Sequence, residues 1–210
     1  GKALVSNADW VKFSFTVLFV LYAVGIVVCL SRTGWTFRWI WKMIARYPQE
    51  EIDCAKVVRV PNPMAPFSFF KYVFVHDALV DTPEFDQILA HEKTHIQERH
   101  SIDLIFVQLL AAFLWFNPVI WLLIKSLKTT HEYIADKKII NSGYSLVEYQ
   151  TLLLKQLISN NSFGLVHNFN LSFIKKRITM MTTKKSGWSG KVKVAVAIAS
   201  TIVCSAIIIQ

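Results

Sequence analysis

An apolar stretch near the start of the chain limits the folds that this chain can adopt. Residues 11–30 contain a single charged side chain, Lys12. Twenty residues of α-helix are about 30 Å long, which matches the hydrocarbon core of a bilayer. Basic residues follow the stretch, at Arg32, Arg38, Lys42 and Arg46. Since such residues favour the cytoplasmic side, we predict a transmembrane helix at 11–30, with residues 1–10 outside the cytoplasm.

A second apolar stretch, residues 191–210, lies at the other end of the chain. Lysines cluster at its start, so we predict a second transmembrane helix that leaves the cytoplasm. Residues 31–190 would then form one cytoplasm-facing domain of a multi-pass protein. The net charge of +9 does not predict nucleic-acid binding, because the basic residues lie beside apolar spans. The basic run 175–177 is accordingly expected to contact lipid phosphates or solvent.

The pentad His91-Glu92-Lys93-Thr94-His95 carries the chemistry of the predicted domain. Two histidines four positions apart lie on one face of a helix, so both can reach one metal ion with the glutamate beside them. A zinc ion with three protein ligands keeps a fourth position for water and lowers the pKa of that water to about 7. We therefore predict a zinc peptidase in which Glu92 is the general base.

The third zinc ligand has to come from elsewhere in the chain. His100 is one residue too close to His95 for the three-histidine metzincin arrangement, and Glu98 stands where that arrangement needs glycine. Glu132 is a better candidate. It shares a helix face with Asp136, so one acid could bind the metal while the other accepts the second ring N–H of a liganding histidine. Without the pentad, both acids would be interpreted as solvated residues among lysines.

A third apolar stretch, residues 104–124, separates His95 from Glu132. A single crossing there would place the predicted ligands on opposite sides of a membrane. Because Trp115-Phe116-Asn117-Pro118 favours a turn, we predict a membrane-associated helical hairpin over residues 103–126. Its arms differ in length, so a bend is predicted at residues 100–103. The sequence fits a hairpin inside the bilayer and one that lies beneath it.

The segment before the pentad helix has the composition of short strands. Ala55–Val60 and residues 67–75 are rich in β-branched and aromatic side chains, and Pro61-Asn62-Pro63 separates them. A strand beside a metal-binding helix can pair with the backbone of a peptide substrate. The pentad helix is predicted to begin with Thr82 as its N-cap and Pro83 at the first helical position.

These residues resemble a known family, the membrane metallopeptidases of the BlaR/MecR type, which act as β-lactam sensors and antirepressors. The likeness covers about residues 50–185 and rests on the pentad and on further motifs. These are Phe67-Ser68-Phe69-Phe70, Arg99-His100-Ser101-Ile102-Asp103, Leu114-Trp115-Phe116-Asn117-Pro118 with Trp121, and Glu132 with Ala135-Asp136. The resemblance implies that His91, His95 and Glu132 are zinc ligands, that Glu92 is the catalytic base and that Asp136 is an acid supporting the ligands.

The resemblance also implies a fold and a role. The fold would be mainly α and integral to the bacterial inner membrane, with a gluzincin-like domain that has a small β-sheet and an active site facing the cytoplasm. In such proteins an extracytoplasmic signal activates the peptidase, which cleaves itself or a cytoplasmic repressor. The sequence contains neither a sensor domain nor an initiator methionine, so we expect a piece of a larger protein whose signal is left open.

Two other functions are compatible with the pentad. A housekeeping membrane protease, similar to the prenyl-protein and heat-shock zinc peptidases, would degrade several membrane proteins. A non-proteolytic receptor, braced by zinc, would signal normally without Glu92. Structural zinc usually has four protein ligands and needs no base, so the regulatory protease is preferred. Its partners would be the lipid bilayer and a peptide or protein substrate.

Overall fold

The computed structural model describes residues 7–159 and 164–183, a mostly helical chain with one small sheet. The predicted span at 191–210 lies outside the described residues. The elements in chain order are α1 (Asn7–Arg46), β1 (Gln49–Ile52), β2 (Ala55–Val60), β3 (Phe67–Phe69), β4 (Tyr72–His76), α2 (Asp77–Val80), α3 (Phe85–Gln97), α4 (His100–Phe113), α5 (Pro118–Asn141), α6 (Leu146–Ser159) and α7 (Gly164–Thr182).

Helix α1 is much longer than the span predicted at 11–30. It has 40 residues, which corresponds to about 60 Å. Its most apolar 18-residue window has a mean hydropathy of 2.6 and is not buried inside the protein, so the helix is long and apolar enough to cross a membrane. Near its C-terminal end, Ile40, Met43 and Ile44 are buried against Val58 and Phe74 of the sheet. One continuous helix therefore joins the apolar segment to the core of the domain.

The sheet is mixed and has the strand order β1-β2-β4-β3. Strands β2 and β4 are parallel, with Val57 opposite Val73, whereas β1 and β3 pair antiparallel with their neighbours. The prediction of one strand over residues 67–75 is wrong, because Phe70 has a positive φ of 50° and turns the chain between β3 and β4. Strand β1 was not predicted, since its sequence Gln-Glu-Glu-Ile is too polar and short to be distinguished from a loop.

The amphipathic helix predicted around the pentad is present as α3, but it begins at Phe85. Thr82 does not cap it, because its hydroxyl donates a hydrogen bond backwards to the carbonyl of Leu79. Phe85 and Leu89 on one face of α3 pack against the apolar side chains of β2 and β4. This packing fixes the pentad helix across the sheet.

Helices α4 and α5 form a hairpin whose turn lies between Phe113 and Pro118. Asn117 accepts a hydrogen bond from the backbone N–H of Val119 and so caps α5, with Pro118 at its first position. The chain also breaks between α3 and α4, where Arg99 has a positive φ of 56°. This break is one residue before the predicted bend at 100–103. The association of the hairpin with a membrane and the domain limits at 31–190 stay predictions.

Helices α6 and α7 cover the side of the domain that carries the pentad. Tyr149, Leu152 and Leu153 of α6 pack against Ile88 of α3 and Ile139 of α5. Since α5 returns from the hairpin turn to the level of α3, residues 131–136 come to lie beside the pentad.

Candidate metal centre

His91, His95 and Glu132 meet at one point between α3 and α5. Each offers a ligand atom, and these atoms lie within 4.8 Å of one another. The two Nε2 atoms are 3.2 Å apart, while the Glu132 carboxylate is 3.5 Å from His91 Nε2 and 3.8 Å from His95 Nε2. Tetrahedral zinc with bonds of about 2.1 Å would hold its ligand atoms about 3.4 Å apart. The residues present therefore fit a zinc ion.

The outer nitrogen of His91 is held by Tyr149. The Tyr149 hydroxyl lies 2.8 Å from His91 Nδ1 and donates a hydrogen bond of 2.8 Å to Asp136 Oδ1. It therefore accepts the Nδ1–H of His91, which leaves Nε2 with a lone pair that faces Glu132. Asp136 itself is 3.8 Å from His91 Nδ1, beyond hydrogen-bonding distance. The acid predicted to accept this proton directly thus acts through an intervening hydroxyl.

The outer nitrogen of His95 is held by a second histidine. His95 Nδ1 and His100 Nδ1 are 2.7 Å apart. When His95 presents a bare Nε2 to a metal, its Nδ1–H donates to His100. The His100 ring stacks on His131 at a centroid distance of 3.8 Å, and His131 Nε2 lies 3.2 Å from the Asp103 carboxylate. His100 is thus placed behind a candidate ligand.

Arg177 of α7 pairs with both acids, the buried Asp136 and the partly exposed Glu132. Its guanidinium contacts Asp136 Oδ2 at 2.9 Å through Nε and Glu132 Oε2 at 2.9 Å through another nitrogen. Arg177 is 6% exposed and Asp136 is fully buried. A buried carboxylate is costly unless it is paired and hydrogen-bonded, so this one cation makes both acids tolerable.

The position of Arg177 corrects the expectation that residues 175–177 contact lipid or solvent. Lys175 and Lys176 are exposed, but Arg177 points into the domain. It shares a helix face with Ile174 and Met181, which pack on the core. The sequence did contain one indication that Arg177 is buried. It lies between Ile174 and Met181 at helical spacing, and such a position is on the apolar face of a helix.

Glu92 lies in the wall of a cavity of about 430 Å³ that also reaches the two histidines. Its carboxylate is buried, and the Ser68 side chain of β3 favours its charged form. The rest of the wall is largely apolar, with Leu152 and Leu153 from α6, residues 65–66 before β3 and Phe67 at the start of β3. A cavity of this kind and size accommodates a short stretch of another chain or a small molecule.

Burial and charge set the protonation states in the centre. Burial raises the pKa of Glu92, as suits a group that takes up a proton. Burial lowers the pKa of His95 to about 3, so that its ring is neutral at pH 7. Burial alone would raise the pKa of Glu132, but the neighbouring His91 and the charge of Arg177 bring it to about 2. A neutral imidazole and an ionised carboxylate are the forms that bind metal.

Of the predicted site residues, the structure brings His91, Glu92, His95 and Glu132 together and places Asp136 one hydroxyl away. The supporting residues Tyr149, Arg177 and Ser68 were missed, and His100 was considered only as a ligand. They come from α6, α7, β3 and α4, and no spacing along the chain connects them with the pentad.

Comparison with known proteins adds one finding. The family model described as BlaR1 peptidase M56 matches residues 3–181, a range that contains every residue of the candidate metal centre. Comparison with curated proteins gives no match.

Proposed function

We propose that this chain, which belongs to the BlaR1 peptidase M56 family, is a zinc metalloendopeptidase that acts in signal transduction. The observation that carries the proposal is the meeting of His91, His95 and Glu132 with a buried glutamate, Glu92, in the same cavity. Two imidazoles and one carboxylate leave a fourth zinc position for water, which is the arrangement of catalytic sites.

In the proposed reaction, Glu92 moves the proton. Zinc, when bound, supplies a Lewis acid that activates a water molecule and polarises the scissile carbonyl. Glu92 accepts the proton of that water and passes it to the leaving amide nitrogen. The hydroxyl of Ser68 orients the carboxylate, and the raised pKa of Glu92 favours holding the proton between these two steps.

The substrate backbone is proposed to lie along β3. This strand is at the edge of the sheet and pairs with β4 alone among the described strands. Ala65, Pro66, Phe67 and Ser68 line the cavity, so an extended peptide added to this edge would cross the metal centre. Edge pairing of this kind holds a peptide by its main chain and leaves side-chain selection to the cavity wall.

The proposed biological role follows the family. Helix α1 crosses the bacterial inner membrane, the metal centre faces the cytoplasm, and an extracytoplasmic signal starts cleavage of the protein itself or of a cytoplasmic repressor. The basic residues after position 30 support this orientation. The unbroken entry of α1 into the domain core supports a domain on the same side of the membrane as these basic residues.

The test compares the intact masses of the purified full-length protein and of Glu92→Gln, after zinc has been measured in both. Glutamine keeps the shape of the side chain, so zinc should stay near one ion per chain while cleavage products disappear. The exposed Glu148→Gln serves as the matched control and should cleave normally.

Other outcomes would identify the competing functions. Degradation of many unrelated membrane proteins would indicate a housekeeping protease. Normal signalling by Glu92→Gln would indicate a receptor braced by zinc. A protein that binds no zinc would refute the proposal.

A further inference from the structure

The tip of the α4–α5 hairpin contacts the middle of the apolar segment of α1. The Tyr22 hydroxyl donates a hydrogen bond of 3.0 Å to the carbonyl of Phe113, and the Tyr22 ring meets Phe116 at a centroid distance of 6.0 Å. Three residues further along, Gly25 lies so close to Trp115 that a Cβ atom there would overlap the indole ring. The tip is therefore fixed to α1 at Tyr22 and Gly25.

The nearest charged side chains give the depth of this contact. On α1, the first charge after Tyr22 is Arg32, ten residues and about 15 Å along the helix. On α4, Asp103 lies ten residues before Phe113, again about 15 Å away. On α5, Lys125 is seven residues after Pro118, about 10 Å. Three separate helices thus place the first charge about 10–15 Å from the tip, roughly half the thickness of a bilayer's hydrocarbon core.

The outer surface of the hairpin is apolar over the same length. No Asp, Glu, Lys or Arg occurs in residues 104–124. Large apolar side chains are exposed on both arms and at the turn, namely Phe106, Phe113, Phe116, Val119 and Leu122. The faces that meet between the arms are filled by Val107, Ala111, Ile120 and Ile124, so the exposed side chains need another partner.

Several polar groups of the turn are paired within the protein, whereas the buried indole N–H of Trp115 has no partner among the described residues. The N–H of Asn117 donates to the carbonyl of Leu114, and its side chain accepts from the N–H of Val119. The indole of Trp121 donates to the carbonyl of Trp115. The carbonyl of Phe113 receives the Tyr22 hydroxyl. Non-helical backbone is tolerated at membrane depth when its groups are paired in this way.

We propose that the tip of the hairpin is a re-entrant element inserted into the cytoplasmic leaflet, with lipid acyl chains as the partner of its exposed apolar side chains. This inference depends on the proposed orientation of α1 as a membrane span. Along α4, His100 is thirteen residues from Phe113, about 20 Å. The metal centre is therefore held close to the headgroups, and the substrate segments within its reach are those near the membrane surface.

The test measures lipid contact with a bimane fluorophore on single cysteines in the full-length chain, with its three native cysteines replaced by serine. Phe116→Cys reports on the tip. Phe19→Cys is the standard for the span, and Val147→Cys on α6 is the standard for water, since all three side chains are more than 60% exposed. The protein is placed in phosphatidylcholine and phosphatidylglycerol vesicles, with or without bromine at the middle of the acyl chains.

Quenching by brominated lipid at Phe116→Cys should match that at Phe19→Cys and exceed that at Val147→Cys several-fold. Leu122→Cys repeats the measurement should Phe116→Cys fail to bind zinc. Quenching of Phe116→Cys by aqueous iodide instead would place the hairpin beneath the bilayer. Protection from both quenchers would mean that another protein surface covers it. Either result overturns the proposal, and iodide quenching of Phe19→Cys would refute the span itself.

Discussion

Replacing Arg177 by methionine should lower the free energy of unfolding of the domain. The size of the loss depends on how deeply its two acidic partners are buried. Among the described residues, the Arg177 guanidinium is the cation that pairs with the fully buried Asp136. It also pairs with Glu132, whose side chain is 24% exposed. Removing one member of a buried ion pair costs about 3–5 kcal/mol. Since Glu132 is partly solvated, most of the loss comes from Asp136. For a domain of this size, a loss of about 3 kcal/mol lowers the Tm by about 6–12 °C.

The measurement is thermal unfolding of the metal-free protein in nanodiscs, followed by circular dichroism. Arg177→Lys should be intermediate, because lysine keeps the charge but cannot bridge several acceptors. Lys176→Met, which alters the exposed neighbour, should change the Tm little. Combining Arg177→Met with Asp136→Asn should recover part of the loss, since the unpaired buried charge is removed. A Tm of Arg177→Met within 2 °C of the parent would refute this account of the site.

Three further results are expected at the metal centre. His100→Leu should weaken zinc binding about 10–100-fold in a chelator competition, and His100→Asn, which keeps an acceptor for His95 Nδ1–H, should weaken it less. Tyr149→Phe should weaken zinc binding by a similar factor, with Leu154→Ala on the same helix as control. Acidification should destabilise the metal-free protein through His95 and Glu132, while the raised pKa of Glu92 offsets part of this loss. The unfolded chain binds a proton at His95 below pH 6.5 that the folded one resists until about pH 3, and the contribution of Glu132 is lost between pH 4.5 and about 2. A Tm unchanged between pH 7 and pH 4 would contradict this assignment.

The parts of the centre that follow from local spacing could be predicted from the sequence. A helix fixes the relation of His91 to His95, and the periodicity around the pentad is strong enough to identify that helix. The turn-forming sequence at residues 115–118, within the apolar stretch between the pentad and Glu132, also indicated a hairpin that brings Glu132 back to the pentad. Neither inference requires knowledge of how distant elements pack.

The supporting contacts depend on tertiary packing and could not be predicted in this way. Tyr149 and Arg177 belong to helices whose sequences indicate a buried face but not the partner of that face. The turn at Phe70 has a backbone conformation that an aromatic residue rarely adopts, so residues 67–75 resembled one strand. Thr82 is a residue type that often caps helices, but its hydroxyl donates a hydrogen bond to the carbonyl of Leu79 in the preceding turn instead.

The continuity of α1 has a mechanical consequence. The helix has no proline or described break along its 40 residues, and β1 begins at Gln49, three positions after α1 ends at Arg46. So short a connection has little slack in which movement could be absorbed. If the outer end of this stiff rod is tilted or rotated, the strands packed against Ile40, Met43 and Ile44 have to move with it or break their contacts. With α1 spanning the membrane as proposed, a force applied at one membrane face would be transmitted along the helix to the edge strand beside Glu92.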